Sequence, residues 1–404
     1  MLEIQLNMYH AVAVAAVLYA LGNLLITRIP VLGKYCIPAP LVGGLCFAMV
    51  NTACYAAGIA YITFDATLQS VFMTMFFTTV GFTVSLPLLA KGGKAVAICL
   101  ALASALTILQ NILGAGVLGA LGEDPRLGLA VGSIALIGGP GTAAAFGPDL
   151  EAAGAVGGNV VGLAAATFGL VMGSVMGGPV ARLRIVKHNL KCTAHVGSVS
   201  APAGSGEAVS TEEGSFRTDS GRFVKGFMLI MFCLGVGSWL SAQLKILTGM
   251  TFPGYIGAML VAVAVRNVMD GAKSEYPENE IETVGNMSLS LFLAMAMMGL
   301  KLWELVDLAL PMMITLALQI LLMFLFSYFI VFNFMGRDYD AAVMVTGFIG
   351  FAMGATSNAM ANMQAVTRKY GPSPTAYFAI PMVGGMFIDF VNAVVITSMI
   401  SWLS

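Results

Sequence analysis

Two short runs in a very apolar chain combine glycine with hydroxyl and amide side chains: Gly-Gly-Pro-Gly-Thr-Ala-Ala-Ala-Phe-Gly at 138–147 and Gly-Phe-Ala-Met-Gly-Ala-Thr-Ser-Asn-Ala at 350–359. Thr142 falls twenty residues beyond Gly122 of a Gly-Glu-Asp turn, and Thr356 twenty beyond Gly336 of a Gly-Arg-Asp turn. Lipid tolerates interrupted backbone only where protein buries it or a polar cavity receives it. Helix N-termini at such breaks offer unpaired N–H groups and a positive dipole end suited to a carboxylate. Freed carbonyls and hydroxyls alongside can replace water around Na⁺. The groups placed to hold a small carboxylate are Gly141, Thr142, Thr356, Ser357, Asn358 and Asn362.

Asp389 is the one acid deep in an apolar segment, within Gly-Gly-Met-Phe-Ile-Asp-Phe-Val-Asn at 384–392. Burying a carboxylate at the centre of a membrane helix costs about 2.5–3.5 kcal/mol on insertion scales, so it requires a partner. Asn392, three residues on, shares its helix face. Asp389 and Asn392, with Gln364, form a candidate partial Na⁺ shell; the plainer reading of Asp389 is a structural hydrogen bond. No Lys or Arg lies deep in a span, so an anionic substrate would be met by hairpin N–H groups, hydroxyls and co-bound cations. Gln110, Asn111, Thr167, Gln319 and the 286–290 run read as interhelical glue.

The elements that must hold these residues are membrane helices. The chain is 58% hydrophobic and 10% charged, with a mean hydropathy of +0.90, against about one quarter charged in soluble domains. No basic stripe suggests nucleic-acid binding. The six cysteines lack CxxC spacing and the three histidines do not cluster, so neither a disulfide framework nor a metal–histidine site is expected, and no cofactor. Met1-Leu2-Glu3 lacks the basic start of a cleaved signal peptide, so the first apolar segment is expected to be retained.

Apolar segments run near 9–27, 37–61, 67–90, 95–121 and 158–180, then 227–242, 251–265, 283–302, 308–335 and 375–403. A broken segment lies between the fourth and fifth of each half, at 127–147 and 341–363. The first contains six glycines and Pro140 in 21 residues, too poor in helix formers for an isolated span. The interval after residue 181 is basic and then rich in Ser, Gly and Ala, the composition of a flexible connector. The expected organisation is therefore an all-α polytopic membrane protein with two transmembrane repeats, 1–181 and 225–404, joined by a cytoplasmic connector, 182–224. Each repeat has five spanning helices and one re-entrant hairpin. Five crossings per half make the halves inverted, with both termini outside. On that assignment 16 of the 19 Lys and Arg residues fall inside, as the positive-inside rule requires. The hairpins would enter from opposite sides and their tips could meet near the midplane. Paired interruptions at matching positions of two halves point to the binding site of a secondary transporter.

The run at 285–305, Gly-Asn-Met-Ser-Leu-Ser-Leu-Phe-Leu-Ala-Met-Ala-Met-Met-Gly-Leu-Lys-Leu-Trp-Glu-Leu, resembles a signature of the bacterial glutamate:sodium symporter family. So do Gly354-Ala355-Thr356, 361–365 (Ala-Asn-Met-Gln-Ala), Gly371-Pro372-Ser373 and the stretch from Pro381 through Asp389 to Ala393. The likeness covers nearly the whole chain apart from the connector. It implies Na⁺-coupled glutamate uptake across the inner membrane by a homodimer with an elevator-like movement. Two departures lie near the breaks: Pro140 stands where the family pattern carries histidine, and Phe348-Ile349 replace a His-Cys pair. Another small carboxylate, such as a 2-hydroxycarboxylate, is the alternative cargo. An intramembrane enzyme would need partners that solitary Asp389 lacks, and a channel would favour pore-lining rings.

Overall fold

A backbone in lipid must satisfy its own hydrogen bonds, and the apolar segments do so as helices. The computed structural model describes residues 2–30, 32, 37–87, 93–190, 192, 220–248, 254–302 and 305–403. Helix α1 is Met8–Arg28, α2 Ala39–Ala56, α3 Thr67–Thr83 and α4 Gly93–Ala120. The first broken segment begins as α5, Leu127–Leu129, continues through a wide π turn, Ala130–Ile134, and resumes as α6, Gly139–Ala152. Then follow α7 (Gly158–Lys187), α8 (Ser220–Thr248), α9 (Gly254–Gly271) and α10 (Glu278–Met298). Helix α11, Leu305–Leu325, passes through a second π turn, Phe326–Val331. The second broken segment is α12, Tyr339–Ala352, then α13, Thr356–Tyr370. The last helix runs as α14 (Pro374–Met382), a third π turn (Val383–Phe387) and α15 (Ile388–Leu403).

Among the described residues, eight helical stretches are long and apolar enough to cross a bilayer. The other two apolar segments are helical as well. Helix α3 is described over 17 residues, and α9 carries Arg266, Asn267 and Asp270 in its last turns. Most of the connector lies outside the described residues. At its edges, however, α7 continues to Lys187 and α8 begins at Ser220. Basic residues in a last turn suit the negative end of a helix dipole, so their appearance after residue 181 extends the helix rather than ending it.

One element was not expected. Strand β1, Leu2–Leu6, pairs in parallel with β2, Ala60–Phe64, with Ile4 opposite Ile62. The apolar run at 37–61 therefore stops being helix at Ala56, and Asn51 holds the strand by accepting from the Ile62 N–H and donating to its carbonyl. β-Branched Ile62 and Thr63 favour the extended form.

The chain separates into two compact units. One is drawn from Met1–Ser70, Lys94–Val199 and Ser290–Ser404, and contains both broken segments. Within it, α1 and α2 approach to backbone contact: a Cβ on Gly22 would sit 1.9 Å from the Ala39 carbonyl oxygen, and one on Gly43 1.8 Å from that of Leu18. Small residues permit such crossings in membranes. The second unit, Val71–Gly93 and Ser200–Leu289, packs Met75, Phe82, Ile230, Cys233, Ala262, Ile281 and Val284 into a core. Its polar end is tied by Asp270, which accepts from Ser85 and Arg266.

Candidate functional site

Helix α7 serves as a ruler for the two broken segments. At about 1.5 Å per residue its 30 residues extend for about 45 Å. Near its start, Gly158 lies against Leu150 and Asn159 against Gly147. Four residues along, Gly162 faces Ala143 and Ala130, which flank the first break. Further on, a Cβ at Gly169 would lie 2.6 Å from the Met353 carbonyl oxygen at the second break. Gly173 then faces Gly350, and Gly177 faces Asn362 and Thr346. The first segment thus reaches along α7 from its N-terminal end and the second from its C-terminal end. Their breaks meet between, where a Cβ on Gly139 would stand 3.0 Å from the Gly354 carbonyl oxygen.

Each segment returns to where it began. In the second, Gly350 packs on Ala359 and Gly347 on Met363, the register of an antiparallel hairpin. Its base is closed by Asp340, which accepts from Ser373 Oγ at 2.7 Å and Thr375 Oγ1 at 2.9 Å, and by Tyr339, whose hydroxyl donates to the Gly371 carbonyl. At the base of the first, Arg126 pairs with Asp124 before the segment and donates to the Ala153 carbonyl after it. The guanidinium holds the Asp124 carboxyl below the usual carboxylate range.

The breaks themselves present two helix N-termini to one place. Helix α6 starts after Gly138 and α13 after Ala355, and no side chain caps either. Pro140 occupies the first turn of α6, a position where a missing N–H leaves no bond unmade. Gly139 has φ +65°, which favours glycine at this tip. Thr142 is buried beside Gly138, and Gly141 is partly exposed. Thr356 donates to the Gly384 carbonyl at 2.9 Å, inside the third π turn, and Ser357 is exposed. Wide turns of this kind recur at functional sites.

The asparagines face α7. Asn358 donates its amide to the Leu170 carbonyl and Asn362 to that of Gly173, each at 2.8 Å. These bonds hold the second hairpin to its ruler and leave the Asn358 carbonyl oxygen buried without a partner among the described residues. Asn392 donates to the Ser133 carbonyl at 3.1 Å, reaching the first hairpin from α15, and its own oxygen is likewise buried and unpaired. Asp389, partly exposed, makes no hydrogen bond or ion pair among the described residues. An unpaired amide oxygen and a carboxylate one turn apart are donors that suit a hard cation such as Na⁺. Gln364 lies two residues beyond Asn362, about 200° around the helix, and no side-chain hydrogen bond draws it toward Asp389 or Asn392. A cavity of about 260 Å³, beside β2 and lined by Asn51, Tyr61, Phe64, Asn159 and Gly299, contains none of these residues.

Gln110 and Asn111, assigned from the sequence to packing, touch both breaks. Gln110 donates to the Ala352 carbonyl at 3.2 Å and accepts from Gln319 through its backbone carbonyl at 2.7 Å. Asn111 accepts from the Ser133 N–H at 2.9 Å, beside Gly132, whose ψ of −133° breaks the helix. The signal was two adjacent amides in an apolar span. Phe348 and Ile349, the departures in the second hairpin, are fully buried, and Phe348 stacks on Phe326.

Residues 4–372 match the family model described as sodium/glutamate symporter. The chain is 40% identical over 396 residues to the sodium/glutamate symporter of Escherichia coli (strain K12), covering 96% of each. It is 37% identical over 390 residues to that of Haemophilus influenzae, covering 95% of each. Among solved structures it aligns with a sodium proton antiporter from Methanocaldococcus jannaschii at a TM-score of 0.45 and 14% identity, over 97% of both chains.

Proposed function

The chain belongs to the sodium/glutamate symporter family, and from that premise we propose that the paired breaks bind glutamate while Na⁺ is held beside them. The protein is a multi-pass membrane transporter, not an enzyme. It is a sodium-coupled glutamate symporter with Na⁺ as the coupling ion. The reading of the site is carried by one observation: along α7, the two hairpins approach from opposite ends and meet at Gly139 and Gly354. The uncapped starts of α6 and α13 are suited to the carboxylates of the substrate. Gly141, Thr142, Thr356 and Ser357 surround those starts. Asn358 and Asn362 are assigned to the same site, with Asn358 contributing its unpaired oxygen. Asp389 and Asn392 are the Na⁺ donors, and Gln364 is retained as an outer member of that set.

The same reading takes the hairpins as re-entrant in two inverted repeats, 1–181 and 225–404, with the 182–224 connector cytoplasmic and both termini outside the inner membrane. A homodimer and an elevator-like movement complete it. Apposed bases, closed by Asp124–Arg126–Ala153 and by Asp340–Ser373–Thr375, support re-entry, because a segment that ends where it starts adds no crossing. Labelled glutamate uptake into proteoliposomes, with and without an inward Na⁺ gradient, tests the activity. Competition by aspartate, malate and citrate tests the cargo: displacement by a 2-hydroxycarboxylate at lower concentration than glutamate would reassign it.

A further inference from the structure

At the C-terminal end of α7, Arg184 is 6% exposed. Among the described residues no carboxylate lies within salt-bridge distance of it. One Nη donates to the Tyr328 carbonyl in the second π turn, the other lies 3.1 Å from His188 Nε2, and Nε is buried with no partner. The guanidinium is centred 3.6 Å over the Tyr328 ring and 4.5 Å from that of Phe332. Lys187 Nζ stands 6.0 Å from the same Tyr328 ring, and His188 stacks on Phe332. The Nε–H therefore has no acceptor, and the buried cation no carboxylate, among the described residues. Aromatic faces compensate part of that cost, and a buried charge ordinarily has an ionic partner. The dipole of the helix end explains an exposed Lys187, but not a guanidinium folded under aromatic rings.

The surroundings indicate an anion that would complete this set. Leu183, Val186 and Phe329 are 52%, 65% and 54% exposed, an apolar surface beside the basic cluster. On the positive-inside assignment this end of α7 faces the cytoplasmic leaflet, where basic groups between helices hold anionic headgroups. We propose that Arg184 and Lys187, framed by Tyr328 and Phe332, form a binding site for the phosphate of an anionic phospholipid, its acyl chains lying on the Leu183–Val186–Phe329 surface.

The test uses full-length protein in mild detergent, with bound lipid read by native mass spectrometry and stability by thermal unfolding. Phosphatidylglycerol, phosphatidylcholine and inorganic phosphate are added separately. The expected result is retention and stabilisation by phosphatidylglycerol over phosphatidylcholine, with a preference of about fivefold for each basic residue engaged. Lys187→Gln, at an exposed position, should lose its share of that preference while still folding. Arg184→Lys, which keeps the charge but not the planar fork, should weaken it as well. Equal retention of the two lipids, or an unchanged preference in Lys187→Gln, overturns the proposal. Stabilisation by millimolar inorganic phosphate equal to that by the lipid also overturns it, because the site would then take a free anion.

Discussion

Thr356 gives its hydroxyl hydrogen to the Gly384 carbonyl, which leaves the oxygen's lone pairs free for a cation or a substrate N–H. Thr356→Val keeps the shape and removes both roles. A lost hydrogen bond of about 0.5–1.5 kcal/mol corresponds to roughly a two- to tenfold rise in the KM for glutamate. Unaltered uptake kinetics in this variant and in Thr142→Val would return both hydroxyls to packing. Asp389 differs in kind, since no bond among the described residues fixes it. Asp389→Asn should raise the Na⁺ concentration for half-maximal uptake by about an order of magnitude, at ~1.4 kcal/mol per tenfold, or abolish transport. Its fold stability should change less. Na⁺-dependent thermal stabilisation of the purified variant checks this, and an intact Na⁺ response would remove Asp389 from the cation site.

At the level of elements, the hairpins depend on their bases. Asp340 receives two hydroxyl bonds from the segment that follows the second hairpin. Bonds to a charged acceptor contribute about 1.5–3 kcal/mol. Asp340→Ala should therefore lower the melting temperature, with Ser373→Ala lowering it less; equal stability in both would show the base to be held otherwise. At the first base, Arg126 lowers the Asp124 carboxyl below its ordinary value, so the pair's contribution is present above the unfolded pKa, about 3.9, and fades as pH falls through the lower folded one. An acid titration of stability should show that loss in the native protein and not in Asp124→Asn. These partners explain what the sequence could show. Both breaks were legible because Gly, Pro and Thr interrupt otherwise continuous apolar runs, and Met353–Ala355 falls inside the run at 350–359. That Asn358 and Asn362 bond to α7 was not legible, because an amide reads the same whether it serves a ligand or a neighbouring carbonyl. The Gln110–Asn111 attachment was hidden for a related reason: its partners, Ala352 and Ser133, are distant in sequence. β1 was legible in principle, because Leu2-Glu3-Ile4-Gln5-Leu6 alternates apolar and polar side chains with the period of a strand. Five residues abutting a long apolar helix were too short to set that period apart, and the partner at 60–64 is distant in sequence.

For the molecule as a whole, opposite entry of the hairpins is open to a direct chemical test. Cysteine reporters at Glu123 and Arg337, with native Cys192 replaced, mark the turns before the two segments. In intact cells an impermeant thiol reagent should label the first and spare the second. Labelling of both, or the reverse pattern, would sink the inverted arrangement. A reporter in the connector at Gly206 should be protected with Arg337. The parallel ladder between β1 and β2 bears on a different matter, the order in which the chain is made. Its two strands lie on either side of α1 and α2. At roughly 5–20 residues per second, β1 is made about 3–12 s before its partner. Only when both helices have followed can Ile4 meet Ile62. The ladder therefore ties the start of α1 to the end of α2 and can close only after both helices have been made.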